Sequence, residues 1–472
     1  LRVLFSNYLD DQIEKLKEIL DILNKKYKYA SVLGNDIKGK NFTFSKTGFD
    51  ISDSNWNERG FVFRVYNGSF YTEVSINNLD KHVYEIIGII DRELVYAREF
   101  SKGFQVNNYP LINEEYLKKD FFDEVSSSFL KKEEEILKRF KSIYEKSFNK
   151  SKNLIDMTIN VEWVRNSKLF LSDKKFLKQS YIWSQGYQIP VMKKGEDIKV
   201  AYYGYSGQKG LEIVSEMEND LDYCLNHTES ILNSKKIEPG IYEVICSPEI
   251  SGLIAHEAFG HGVEMDMFVK KRAKASEYIN KYVASNIVNM YDGVKSVKQV
   301  SSYLFDDEGV LGNDTKIIDN GVLKNGISDQ LTALKLNTLS TGNGKRESYK
   351  RKAYSRMTNT FFSSGKDTLE NMIKSIKKGY LLLDEISGME DPKNWGIQCM
   401  LLSAQEIKDG ELTDNFYSPV IISGYVPELL KNITMISKDF DMFGTGYCGK
   451  GYKERVKVSS GGPYIKTKVR LG

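Results

Sequence analysis

Two of the chain's 4 histidines fall within one short segment, His256-Glu257-Ala258-Phe259-Gly260-His261-Gly262. Imidazoles beside a carboxylate are the materials of a metal centre with its own general base. In the familiar zinc-peptidase spacing, histidines at i and i+4 lie about 40° apart around a helix and reach one ion together. Here the spacing is i and i+5, which a regular α-helix places about 140° apart. One ion reaches both only if the helix breaks or takes up an extra residue as a π-bulge. Gly260 and Gly262 flank the second histidine and make such a distortion easy. On spacing alone, a distorted metal helix and a coincidence both stand.

A metal site needs a third ligand, and Cys448 in Gly444-Thr445-Gly446-Tyr447-Cys448-Gly449-Lys450-Gly451 is the best candidate. Glycines on either side of a thiol let the backbone approach closely, and thiolates bind zinc well. Glu264 and Asp266 are spare carboxylates after the helix, expected to be solvated or capping. The Cys448 stretch also approaches a phosphate loop, but Gly451 stands where the magnesium-binding hydroxyl belongs, so the nucleotide reading fails.

The elements that must position these groups are partly legible. Tyr242 to Cys246 reads as a strand, and Ser247 then caps a helix beginning Pro248-Glu249. Both histidines fall near that helix's far end. Upstream, Leu9, Ile13, Leu16, Leu20 and Leu23 form one helical stripe. A second helix is expected over 79–100, with one or two more over 113–150 burying Leu130, Leu137, Phe140 and Tyr144. The Lys131-Lys132-Glu133-Glu134-Glu135 run reads as a solvated face. Residues 155–163 alternate as a strand with one wet face, further strands fill 169–205, and 207–234 reads as a helix. From Ile241 onward short strands and turns dominate, interrupted by a helix over 369–378. The expected organisation is α+β, with an N-terminal α/β region before a mostly antiparallel β domain in which the metal helix is embedded. Its divisions are expected at 1–105, 106–235 and 236–472.

Composition narrows the class. Lys plus Arg number 67 and Asp plus Glu 64, a net +3 that gives no reason to invoke nucleic acid or an anionic membrane. Four cysteines in 472 residues are no disulfide framework. No secretory leader or membrane-length apolar run is seen, so a cytoplasmic protein is expected.

His256-Glu257-Ala258-Phe259-Gly260-His261 with Cys448-Gly449-Lys450 resembles the TldD/PmbA family, the gyrase-modulator metalloproteases. Further matches are Asp306-Asp307-Glu308-Gly309, Asp329-Gln330-Leu331, the Thr341–Tyr349 segment, Arg356-Met357-Thr358-Asn359-Thr360 and Gly461-Gly462-Pro463. They are dense from about residue 240 and more like the TldD than the PmbA (TldE) subunit. The resemblance implies zinc held by His256, His261 and Cys448, with Glu257 as general base for peptide-bond hydrolysis. It implies unfolded polypeptides or modified-peptide precursors as substrates. It also implies a PmbA/TldE-like partner, a heterodimer with a homodimer as the alternative. The sequence departs from the family at Glu390-Asp391-Pro392-Lys393-Asn394-Trp395-Gly396-Ile397-Gln398, where a glycine-rich segment is usual, and at Tyr452.

The rival reading is a non-catalytic interaction protein with a structural metal. Cys399 as a fourth protein ligand would close the site that way, though core packing is its ordinary role. His82 and His227 are expected at the surface or in packing, and Cys224 and Cys246 in the core. The turn at Asn343-Gly344-Lys345-Arg346 is either a hairpin or a substrate contact.

Overall fold

The computed structural model describes residues 1–103, 108–126, 133–451 and 453–472. Leu130, Lys131, Lys132 and Tyr452 lie outside the described residues. The fold is α+β. Its first half is a nine-stranded sheet built from β1 (Ala30–Ser45), β2 (Gly48–Asp53), β3 (Glu58–Tyr66), β4 (Tyr71–Ile76), β5 (Leu117–Phe122), β6 (Leu154–Ser172), β7 (Lys175–Lys194), β8 (Asp197–Val200) and β9 (Tyr203–Gly207). The order is β4-β3-β1-β6-β7-β5, with β2 on β1 and β8 and β9 on β7. β1 and β6 pair antiparallel from Ser31↔Ser172 to Phe44↔Ile159, so this one sheet draws strands from both sides of residue 105.

Alternation along these strands gives the sheet two differently covered faces. On one face Val32, Phe61, Phe63 and Leu171 pack under α1 (Asn7–Lys26) and α2 (Val83–Ser101). Farther along the same face, Phe42, Met157, Ile159 and Val161 pack under α3 (Glu133–Lys150), α4 (Ile213–Asn219) and α5 (Leu221–Leu232). The opposite face is not wet. Leu33, Val62, Phe170 and Leu177 meet Phe305 and Tyr349 of the C-terminal half, while Val164, Tyr181 and Trp183 meet Val300. Glu162 on that face is buried and accepts from Ser54 Oγ at 2.6 Å and Gln185 Nε2 at 2.8 Å.

Several sequence expectations change in detail. Residues 117–122 form a strand parallel to β7 rather than helix, because docking beside a long strand satisfies their backbone. The helix expected over 207–234 is two, broken at Asp220. In α3 the buried stripe is Ile136, Phe140, Ile143 and Ser147, leaving Leu137 exposed. Ile155 is exposed because the β6–β7 register shifts between Leu154 and Asp156.

The C-terminal half is organised by β10 (Gly240–Cys246), β11 (Lys378–Asp391), β12 (Gly396–Lys408), β13 (Val420–Tyr425) and β14 (Ser459–Leu471). Their pairings run β10-β11-β12-β13-β14 and return to β10, closing a five-stranded ring. Only β10–β11 is parallel within it. Val244, Leu382, Leu401, Ile422, Ile465 and Val469 share its core. Largely buried charge links tie the halves together, among them Arg64 with Glu308, Arg346 with Glu73 and Lys168 with Asp307.

Candidate metal centre

β10 delivers the chain directly into α6 (Pro248–Ala255). Ser247 Oγ caps this helix by accepting from Ile250 N, and Pro248 and Glu249 occupy its first turn. Ile250, Leu253 and Ile254 lie in the same core as the strand ring. Gly252 allows the helix to rest directly on β14: a Cβ there would lie 2.3 Å from Gly461 N.

After Ala255 the helix widens. Residues His256–Gly260 form a π-turn, closed by the bond from His261 N to His256 O, and His261–Val263 follow as a 3₁₀ turn. This is the inserted-residue distortion the i, i+5 spacing requires. The two rings stand 5.2 Å apart at 85°. Cys448 approaches from a small hairpin in which Tyr447–Lys450 pairs with Lys453–Lys457. One donor atom each from His256, His261 and Cys448 lies within 4.8 Å of the others, and Cys448 Sγ is 3.1 Å from His261 Nε2.

Two imidazoles and a thiolate suit zinc, whose bonds of about 2.0–2.3 Å need only slight closure of this group. All three residues border a cavity of about 500 Å³, and Glu257 borders it too. The group therefore has a side open to a molecule in the cavity. Cys399 is not among the three grouped donors and does not line the cavity; it is fully buried in the core of the strand ring, paired opposite Gly388 on β11 and near Glu257. Among the described residues, His82 lies at the start of α2 stacked on Tyr84. His227 is buried against Ser403 and Tyr203, and burial holds it neutral, down to about 4. Cys224 and Cys246 are core residues. The larger cavity, about 780 Å³ between the first sheet and residues 300–351 and 453–457, has no histidine among its described lining residues.

The supporting residues were only partly anticipated. Glu264 is not solvated: it is 2% exposed, accepts from Arg356 Nε at 3.0 Å and Lys450 Nζ at 2.6 Å, and faces His261 Nδ1 at 3.6 Å. That arrangement directs His261 Nε2 toward Cys448 and the cavity, as carboxylates behind metal-binding histidines do. Burial pushes Glu264 up, but Lys450 and Arg356 outweigh it and hold the carboxyl well below its usual range. Asp266 pairs with Lys450 and Lys270 and is not a ligand candidate. Burial likewise opposes ionisation of Cys448, yet His261 and His256 hold its thiol well below normal.

The family-like segments are mostly scaffold. Asp306 accepts from the backbone N–H groups of Glu308, Val310 and Gly344. Asp292 gathers Thr358, Thr360 and Asn343. Residues 343–346 are not a hairpin turn: Gly344–Lys345 is extended and pairs antiparallel with Tyr354–Ser355, and the segment is held by Lys345 donating to Ser301 and Met357 and Arg346 to Glu73. Sequence reasoning missed Glu390, which borders the same cavity with both carboxylate oxygens buried.

Residues 239–469 match the model of the PmbA/TldA metallopeptidase C-terminal domain. A metalloprotease of Methanocaldococcus jannaschii is 31% identical over 268 residues, covering 56% of this chain and 58% of that protein. A protein of Saccharolobus solfataricus described as a zinc metalloprotease TldD homolog is 36% identical over 230 residues, covering 48% and 51%. The matched stretch thus spans little more than half the length of either relative. The crystal structure of TldE from Thermococcus kodakarensis superposes with a TM-score of 0.74 at 16% identity, over 97% of this chain and 100% of that one. That of a putative DNA gyrase modulator from Thermotoga maritima does so with 0.77 at 16%, over 98% and 100%. At that identity the structures speak for the fold alone. Over residues 239–469 the chain thus resembles the PmbA/TldA metallopeptidase C-terminal domain, and it shares the fold of the TldE structure.

Proposed function

We propose that the chain is a zinc-dependent peptide hydrolase in which His256, His261 and Cys448 hold the metal and Glu257 is the general base. The observation that carries this reading is the π-turn, which brings two histidines to one thiol and leaves Glu257 on the wall of the same cavity. Zinc supplies Lewis acidity there, polarising the scissile carbonyl and acidifying a water. Glu257 takes the proton of the attacking water and returns it to the leaving amine. Glu264 keeps His261 oriented, and the Arg356 guanidinium stabilises the charged form of Cys448.

Unfolded polypeptides or modified-peptide precursors are the substrates this reading favours. An extended peptide laid along a free strand edge is recognised through its backbone, which gives broad specificity. The likeness of the fold to a protein named TldE supports a TldE-like partner chain, with self-association as the alternative. Among the described residues no helix is long and apolar enough to cross a membrane. All four cysteines are free, in keeping with a reducing compartment. The test is Glu257→Gln. It should keep its metal and lose about 10²–10⁴-fold in peptide cleavage; a variant that cuts as fast as the parent removes Glu257 from the mechanism.

A further inference from the structure

Glu390 lies two residues beyond Gly388 on β11, and the strand at this point runs along the π-turn. A Cβ at Gly388 would lie 2.5 Å from Glu257 Cγ, and one at Gly262 would lie 3.1 Å from Glu390 Oε1. Positions two apart on a strand share a face, about 6.5–7 Å from each other. Glu390 therefore stands one step along the cavity wall from Glu257, on the His261 side. Neither of its carboxylate oxygens, both buried, has a hydrogen-bond partner among the described residues. A carboxylate buried in this way needs a cation or a proton.

The nearby cations are already committed. Lys450 bonds Glu264 and Asp266, Lys270 bonds Asp266, and Arg356 bonds Glu264, Cys448 and the Glu454 carbonyl. Burial, with Glu257, Glu264 and Asp391 adding to it, pushes the Glu390 carboxyl up to about 9, and the His261 imidazole opposes them. We propose that Glu390 receives a positive charge of the peptide substrate, its amino terminus or a Lys or Arg side chain, within about two residues of the bond attacked. This rests on the peptide-hydrolase reading and narrows it, because a cavity so furnished selects by charge as well as by backbone.

The test uses the metal-loaded full chain and four decapeptides: one lysine or norleucine near the amino end, each with a free or an acetylated terminus. Binding is read by anisotropy on the Glu257→Gln protein, and cleavage on the parent. The expected result is at least a tenfold preference for a cationic peptide. Loss of that preference on acetylation assigns the charge to the terminus, and loss with norleucine assigns it to the side chain. Glu390→Gln should erase the preference while its metal content stays at the parent level. Equal binding of charged and neutral peptides by the Glu390-containing protein overturns the proposal without recourse to any variant at that position. Absence of binding overturns it too, as does loss of metal in folded Glu390→Gln, which would make Glu390 a ligand. A charge preference in binding with no cleavage by the parent contradicts the hydrolase reading instead.

Discussion

Arg356 donates from its guanidinium to Cys448 Sγ at 3.0 Å while the residue is itself fully buried. The same side chain reaches Glu264 Oε1 at 3.0 Å, so one cation holds the thiolate and the carboxylate that faces His261. A planar, permanently charged fork is suited to two partners at fixed angles, and lysine is no substitute.

Arg356→Met should therefore weaken the metal centre without removing a ligand. Loss of a partner behind the ligands weakens metal affinity about 10–100-fold. Leaving part of a buried ion pair without its partner costs about 3–5 kcal/mol. Chelator competition measures the first effect and denaturant unfolding the second; parent-like values in both would show that Arg356 supports neither residue.

Gly388→Ala tests whether β11 sets the position of Glu257. The added Cβ would fall 2.5 Å from Glu257 Cγ, so the carboxylate must move. A shift of about 1 Å in a catalytic group lowers turnover by about 10²-fold. Metal content should stay at the parent level, and unchanged kcat/KM would show that Glu257 is free to settle elsewhere.

The joint between the halves should be acid-sensitive. Burial raises the Glu73 carboxyl, but Arg346 and Arg64 outweigh it and hold it well below the usual carboxylate range. Its pKa is thus lower in the folded state than the roughly 4.3 of an unfolded glutamate. Its contribution to stability is complete above that unfolded value and declines as pH falls from there toward the folded pKa. Tm measured from pH 6 downward should drop below about pH 4.3, and Glu73→Gln should flatten that part of the curve. Equal slopes for the two proteins would remove Glu73 from the acid response.

How much of this could be read in the chain depended on whether the signal was local. The need for an inserted residue between His256 and His261 follows from helix geometry alone, and the π-turn meets it. Glu264 reads as solvated in sequence because its partners, Arg356 and Lys450, each lie more than 90 residues away. Residues 117–122 read as helix because their pairing with β7 leaves no mark in their own alternation. The second face of the first sheet read as wet because its cover, around Val300, Phe305 and Tyr349, arrives more than 100 residues later. Glu390 showed only as a departure from a familiar pattern, and its burial beside the metal group needed the β11 register to become visible.

Zinc-edge X-ray absorption on the purified protein, with total metal quantified, tests the central claim most directly. One sulfur, two imidazole nitrogens and one light oxygen at about one zinc per chain is the predicted result, the signature of a catalytic site with an open position. Two sulfurs would contradict the account by bringing Cys399 beside Cys448 in a closed structural site, and a protein that binds no zinc would remove the metal chemistry from this chain altogether.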